Sequence, residues 1–209
     1  VICGLVKKLT GKKFVYNLQD IFPDSLINGS ITSEGSLIWK IGRRMENFTY
    51  KNADAIIVIS EDFKANIMAK GVPEEKIVVV PNWVNTSINP IPRTENKLIK
   101  KYNLDPTTFY VCYSGNIGYT QNIELLVSVA ESIKDILPDV AFVVIGDGSA
   151  REELGKLVDG KGLKNVILLP YQPYEDLSHV FSLGDVGLVI SKSGVGENSI
   201  PSKTWDIMA

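Results

Sequence analysis

Residues 109–145 read FYVCYSGNIGYTQNIELLVSVAESIKDILPDVAFVVI, and their pattern decides the fold. Residues 109–113 are a short apolar run bounded by a glycine-containing loop. Ile123, Leu126, Val127, Ala130 and Ile133 then recur at helical spacing. Residues 141–145 form a second run that is apolar throughout rather than alternating, as expected of a strand covered on both faces of a parallel sheet. Strand, loop, helix and strand in this order make a βαβ unit, and the same rhythm extends in both directions.

Strand-like runs also occur at 14–18, 55–59, 76–80, 166–169 and 186–190. Between the first two, Leu37, Ile41, Met45 and Phe48 fall at helical spacing, which predicts a helix laid over the sheet. Ser60, followed by Glu61 and Asp62, predicts a capped helix start with acids in its positive first turn. The expected class is therefore α/β with doubly wound parallel sheets. The rhythm breaks once, at residues 81–92, PNWVNTSINPIP, where prolines and asparagines replace periodicity. This places a boundary that divides the chain into 1–84, a linker at 85–103, and 104–209. Three strands precede the linker and four follow it, fewer than the five or six of a complete doubly wound sheet. Residues 1–8 read like the middle of an amphipathic helix, and the final residues like an uncapped one. Both halves are expected to be truncated.

Bulk properties narrow the function. The chain has 209 residues, 44% hydrophobic and 22% charged, with a net charge of −2. Its mean hydropathy is +0.07, ordinary for a globular protein. The charge is +2 over residues 1–84 and −4 over residues 85–209. No basic footprint for nucleic acid is present. One histidine and no C-x-x-C leave no metal cluster to propose, and Cys3 and Cys112, each beside apolar residues, read as buried free thiols. No apolar run approaches the roughly 18 residues of a spanning helix.

In open α/β sheets ligands meet the loops at the carboxyl ends of the strands. One such loop, residues 113–121 (YSGNIGYTQ), has Gly115 and Gly118, which let backbone approach a ligand and aim N–H groups at an anion. A tight turn needs the same glycines. The loop at 145–149, IGDGS, reads as structural. Residues 191–203, SKSGVGENSIPSK, combine glycines, hydroxyls, Lys192 and Lys203 ahead of a helix start near Ile200, a natural seat for a diphosphate; an exposed polar loop has the same composition. After the first strand, Asp20 and Asp24 flank Ile21-Phe22-Pro23, either for acid–base work or as turn caps. His179, in a short helix, reads as a surface or packing residue rather than a catalytic one. There is no Asp-x-Asp to hold a metal–nucleotide.

Residues 51–60, KNADAIIVIS, and 70–82, KGVPEEKIVVVPN, resemble the central stretch of family 4 glycosyltransferases, retaining enzymes of the GT-B fold. Residues 113–118 (YSGNIG), 201–203 (PSK) and the closing Met208-Ala209 are similar to the branch that builds capsule, O-antigen and colanic-acid polysaccharides in bacteria. The resemblance covers essentially the whole chain, in family order. It implies that 1–84 is the second half of an acceptor domain and 104–209 most of a donor domain, each Rossmann-like, with substrates meeting in the cleft between them.

What the resemblance implies for the site is uneven. Many members carry Arg where Asn116 stands and Lys where Gln121 stands, both on the donor diphosphate. Here neither is charged, so Lys192 and Lys203 are the expected cations, aided by backbone around Gly115 and Gly118, by the helix starting near Ile200 and by Ser202 within it. The family's two glutamates fall on Asn198 and Asp206. Asp206 still suits ribose hydroxyls, and Glu197 is expected to take the donor-sugar role. Asp20 is the expected contact to the acceptor or reacting hydroxyl. The implied reaction is front-face transfer with retention, without metal or cofactor, from a nucleotide-sugar (expected UDP-linked) to a saccharide or lipid-linked acceptor. A cytoplasmic location follows, with peripheral association at the inner membrane face; residues 39–51 are basic and amphipathic, although a core helix with a solvated basic face reads the same way. Two alternatives stay open: a GT-B sugar-nucleotide epimerase, and a non-catalytic nucleotide-binding subunit.

Overall fold

The computed structural model describes residues 1–28, 32–84, 88–119, 121–192 and 201–208. They fall into two units, 1–83 and 84–192 with 201–208. Every strand expected from an apolar run is present.

The first unit runs α1 (Ile2–Thr10), β1 (Val15–Leu18), α2 (Asp24–Asn28), α3 (Leu37–Asn52), β2 (Ala55–Val58), α4 (Glu61–Ala69) and β3 (Ile77–Val79). Its three strands are parallel in the order β1-β2-β3, with Val15 opposite Ala55 and Ile56 opposite Ile77. Leu18, Ile21, Ile56, Val58, Phe63 and Ile67 form the buried core, each apolar side chain stabilising by about 1.5–3 kcal/mol relative to exposure. Ser60 caps α4, its Oγ accepting from the Phe63 N–H at 3.2 Å, as the hydroxyl-then-acids pattern requires.

Helix α3 forms where expected but turns a different face inward. Its buried residues are Gly42, Glu46, Thr49 and Tyr50, while Leu37, Ile41 and Met45 are 73%, 53% and 45% exposed. Two features override the apolar stripe. Gly42 has no side chain, so Phe22 and Pro23 lie directly against it; a Cβ there would be 2.8 Å from Pro23 Cβ. Glu46 is buried with its charge balanced. Arg43 donates to Glu46 at 2.6 Å and to Asp24 at 3.0 Å, Lys70 bridges the same two carboxylates at 2.9 and 2.8 Å, and the Tyr50 hydroxyl donates to Glu46 at 2.7 Å. The four charges close into a neutral ring.

The second unit contains α5 (Lys97–Lys101), β4 (Phe109–Ser114), α6 (Ile123–Ile133), β5 (Val140–Ile145), α7 (Arg151–Gly160), β6 (Val166–Leu169), α8 (Leu177–Phe181), β7 (Val186–Leu188) and α9 (Lys203–Met208). The strands are all parallel, in the order β6-β5-β4-β7. Winding proceeds from β4 outward to β6 and then returns to the other side of β4, so the topological switch lies between β4 and β7. Ile123, Leu126, Val127 and Ala130 of α6 are buried against this sheet, on the face that their spacing marks.

The stretch 88–103 is packed into this second unit. Leu98 of α5 is wholly buried, the Ile91 N–H donates to Ser182 Oγ at 2.9 Å, and Asn96 Nδ2 donates to the His179 carbonyl at 2.8 Å. His179 Nδ1 accepts from the Lys97 N–H, which makes it a packing residue. Cys112 is buried, where desolvation pushes its thiol up to about 12, whereas Cys3 is exposed: α1 buries only Gly4, so the apolar neighbours of Cys3 do not cover it. No helix among the described residues is long and apolar enough to cross a membrane.

Candidate functional site

At the carboxyl ends of β4, β5 and β6, beside the switch point, lies a cavity of about 320 Å³. Among its lining residues are Gly115, Asn116, Gln121, Ser202, Lys203 and Asp206, which approach from the β4–α6 loop and from α9. The opposite side of the cavity is mostly apolar, with Tyr171, Leu177, Val180 and Phe181. A larger hollow, about 560 Å³, opens among residues such as Asn103, Asp105 and Lys134, at the amino ends of the same strands. In an open parallel sheet ligands bind at the carboxyl ends of the strands, so the smaller cavity is the candidate site.

Its floor is built by two interlocked loops. The Gly115 N–H donates to the Ile145 carbonyl at 2.9 Å, Ile117 N–H to Asp147 at 2.8 Å, and Ala150 N–H to Ile117 at 2.9 Å. Gly146, at φ +149°, lies so close that a Cβ would be 1.9 Å from the Gly115 carbonyl oxygen. The glycines of the 145–149 loop thus seat the neighbouring loop, and Gly146 also lines the cavity. On the other loop, Gln121 Oε1 accepts from the Gly118 N–H at 3.1 Å, which orients the side chain. Arg151 fastens the base of the floor, donating to the Gly146 carbonyl at 2.6 Å and to Leu169 at 3.0 Å.

The cation of the site is Lys203. Its Nζ stands 3.7 Å from the centroid of the Tyr113 ring, against the open Cα face of Gly115, where a Cβ would be 2.9 Å away. Among the described residues no ion pair joins it to a carboxylate. Burial pulls its ammonium down to about 8. Burial also raises the Asp206 carboxyl and pushes the Tyr113 phenol up to about 12, so Tyr113 remains a donor; its hydroxyl gives a 2.7 Å bond to the Asn116 carbonyl. A desolvated, unpaired ammonium is unfavourable for the empty protein and favourable for an anionic ligand.

Other expected residues are placed as follows. Lys192 is exposed and does not line the cavity. Gly118 lies on the β4–α6 turn, just outside the lining. Glu197 and Asn198 lie outside the described residues, as does Ile200; the described helix α9 begins at Lys203, with the Thr204 N–H on the Pro201 carbonyl. In the first unit, Asp20 is exposed between the buried Leu18 and Ile21. Asp24 starts α2 and is tied to Arg43 and Lys70, which settles it as an anchor of the loop carrying Asp20. Sequence reasoning missed Tyr113 and the apolar wall. Tyr113 lies inside a strand and has the local pattern of ordinary core, whereas Tyr171, between two prolines at a strand end, is marked by its position.

Comparison with known proteins gives a consistent picture. Residues 94–202 match the model of the glycosyl transferases group 1, and residues 1–88 that of glycosyltransferase family 4. The putative colanic acid biosynthesis glycosyl transferase WcaI of Escherichia coli (strain K12) is 27% identical over 209 residues, 98% of this chain and 51% of that protein. The probable glycosyltransferase WbjE of Pseudomonas aeruginosa is 26% identical over 206 residues, again 98% and 51%. The chain thus spans about half the length of the curated relatives it matches. Among solved structures, Anabaena Alr3699/HepE in complex with UDP superposes with a TM-score of 0.73 at 17% identity, covering 91% of this chain and 50% of that one. That likeness shows the GT-B type of fold.

Proposed function

The chain belongs to the glycosyl transferases group 1, and from that premise we propose that the protein transfers a sugar from a nucleotide-sugar donor to a saccharide or lipid-linked acceptor in cell-surface polysaccharide biosynthesis. The observation that carries this reading is the Lys203 ammonium, desolvated and without a carboxylate partner among the described residues, in a strand-end cavity whose other wall is apolar and aromatic. A desolvated cation at the strand ends suits a diphosphate, and the apolar wall suits a base. Solved relatives of this fold were captured with UDP, which supports a UDP-linked donor.

In the proposed reaction the donor diphosphate lies on the 115–118 loop and the start of α9, with Lys203 stabilising its charge as it leaves. Asn116 and Gln121 contribute amide donors where a charge is missing, and Ser202 a hydroxyl. Asp206 is assigned to the ribose hydroxyls, and Glu197 to the donor sugar. Asp20 is assigned to the acceptor or reacting hydroxyl, Lys192 to a secondary contact with the donor. Transfer proceeds with retention, as the resemblance to family 4 implies, and without metal, a reading supported by the lack of any Asp-x-Asp in the sequence. Peripheral membrane association is supported by the exposed Leu37, Ile41 and Met45 of α3 next to Lys40 and Arg44, a composition suited to an anionic interface.

Calorimetry with UDP and GDP tests the donor site. Binding of one nucleotide is expected, and Lys203→Ala should weaken it by about 1.5–3 kcal/mol through loss of a charge-assisted bond. Absence of binding by both nucleotides refutes the site. Anomeric NMR of the product formed on a lipid-linked acceptor then checks retention and separates transfer from epimerisation.

The same cation sets a pH dependence. Diphosphate binds the protonated amine, and the unliganded amine loses its proton as pH rises through about 8. UDP affinity should therefore be level near pH 7 and fall above 8, by at most about tenfold per pH unit. The stability of the empty protein moves oppositely. A lysine whose folded value lies below its unfolded one destabilises the fold at low pH and is relieved between about 8 and the unfolded value of 10.5. A Lys203→Ala variant should lose both trends.

A further inference from the structure

We infer that Tyr113 is the positioning residue of the donor site: its ring face, in place of a carboxylate, seats the Lys203 ammonium and leaves that charge free for the diphosphate. The inference rests on the donor-site reading above and goes further, because it assigns a task to a side chain that looks like ordinary strand core.

A flexible four-carbon lysine does not hold its head group in one place without a partner, and the usual partner is an acid. An acid inside this cavity would neutralise the ammonium, and an incoming diphosphate would have to break that pair. The face of an aromatic ring attracts a cation through its quadrupole without cancelling the charge. At 3.7 Å from the ring centroid to Nζ, Lys203 is in direct contact with that face. Asp206, one turn along α9 and also lining the cavity, makes no ion pair with it.

The ring itself is fixed. Tyr113 is wholly buried, packs among Ile117, Leu126 and Val127, and donates its hydroxyl to the Asn116 carbonyl at 2.7 Å. One residue therefore sets both halves of the anion seat, with its hydroxyl holding the turn at Asn116 and its face holding the cation. Gly115 completes the device, since any side chain there would occupy the space of the ammonium.

Fluorination separates this role from simple packing, because it drains the ring face of negative charge while changing its size little. In the full chain, position 113 would be filled by phenylalanine, 4-fluorophenylalanine, 3,4,5-trifluorophenylalanine and pentafluorophenylalanine, and binding of UDP and of uridine measured by calorimetry across pH 7–9.5. UDP affinity should fall stepwise along the series, about five- to thirtyfold in total, with uridine affinity unchanged. The pH at which UDP binding is lost should move down in the same order. If the pentafluoro protein does not fold, the first three members still define the slope. A level UDP series in a chain whose Lys203→Ala variant has lost affinity overturns the role of Tyr113 and leaves the donor site standing. Unchanged UDP affinity in Lys203→Ala overturns the donor-site assignment of Lys203 and this inference with it.

Discussion

Replacing Gly146 with alanine should destabilise the second unit by on the order of 3–5 kcal/mol and abolish nucleotide binding, although Gly146 offers no side chain to a ligand. Two costs add. The backbone at φ +149° is in a region that L side chains avoid, worth roughly 1–3 kcal/mol. The new Cβ would also lie 1.9 Å from the Gly115 carbonyl oxygen, and that obstacle is backbone, which no rotamer change removes. Relief requires the β4–α6 and β5–α7 loops to separate, stretching the bonds from Gly115 to Ile145 and from Ile117 to Asp147; overpacking of this sort costs roughly 1–3 kcal/mol. Gly155 is the internal control. It lies inside α7, where a Cβ would meet only Leu168 Cδ1 at 3.9 Å, so Gly155→Ala should stabilise by about 0.5–1 kcal/mol. Urea unfolding of both variants, followed by UDP calorimetry on each, checks the pair. Equal stability of the two would refute the interlocked-loop account.

The strands were legible because parallel strands covered on both faces need unbroken apolar runs, as at 55–59 and 141–145. The Ser60 cap and the buried stripe of α6 were legible for a similar reason, since each depends on residues within a few positions. What escaped depends on partners distant in sequence. Leu37, Ile41 and Met45 have the spacing of a buried stripe, but the orientation of α3 is set by Pro23 against Gly42 and by Lys70 beside Glu46. The prolines and asparagines of 88–96 suggest a free connector, yet Ser178, Ser182 and His179 supply its hydrogen bonds. At the site, the loop glycines and Lys203 were readable from strand-end logic. The ring beneath Lys203 was not, because an aromatic residue in a strand has the same local pattern whether or not a cation from a later helix rests on it.

The buried charge ring of the first unit gives the other large effect. Glu46→Leu should destabilise that unit by about 3–5 kcal/mol, more than the loss of two ion pairs on a surface, where each is worth at most about 1 kcal/mol. The reason lies in what remains. Arg43 and Lys70 would share the single carboxylate of Asp24, leaving one excess positive charge largely shielded from water, and the Tyr50 hydroxyl would lose its acceptor. Removing one charge of each sign is a different perturbation. In Glu46→Leu/Lys70→Met the remaining Arg43–Asp24 pair is neutral, so the double variant should be more stable than Glu46→Leu alone, even though it lacks one more native group. Chemical denaturation, with fluorescence and circular dichroism fitted for two units rather than one transition, measures both. A double variant no more stable than Glu46→Leu would mean that the ring contributes contacts rather than charge balance. Because Asp24 belongs to this ring and Pro23 rests on Gly42, backbone amides of residues 20–26 should exchange hydrogen faster in Glu46→Leu and return towards the parental rate in the neutral double variant. That recovery would tie the presentation of Asp20 to charge balance nearby, since Asp20 itself is exposed and makes no part of the ring.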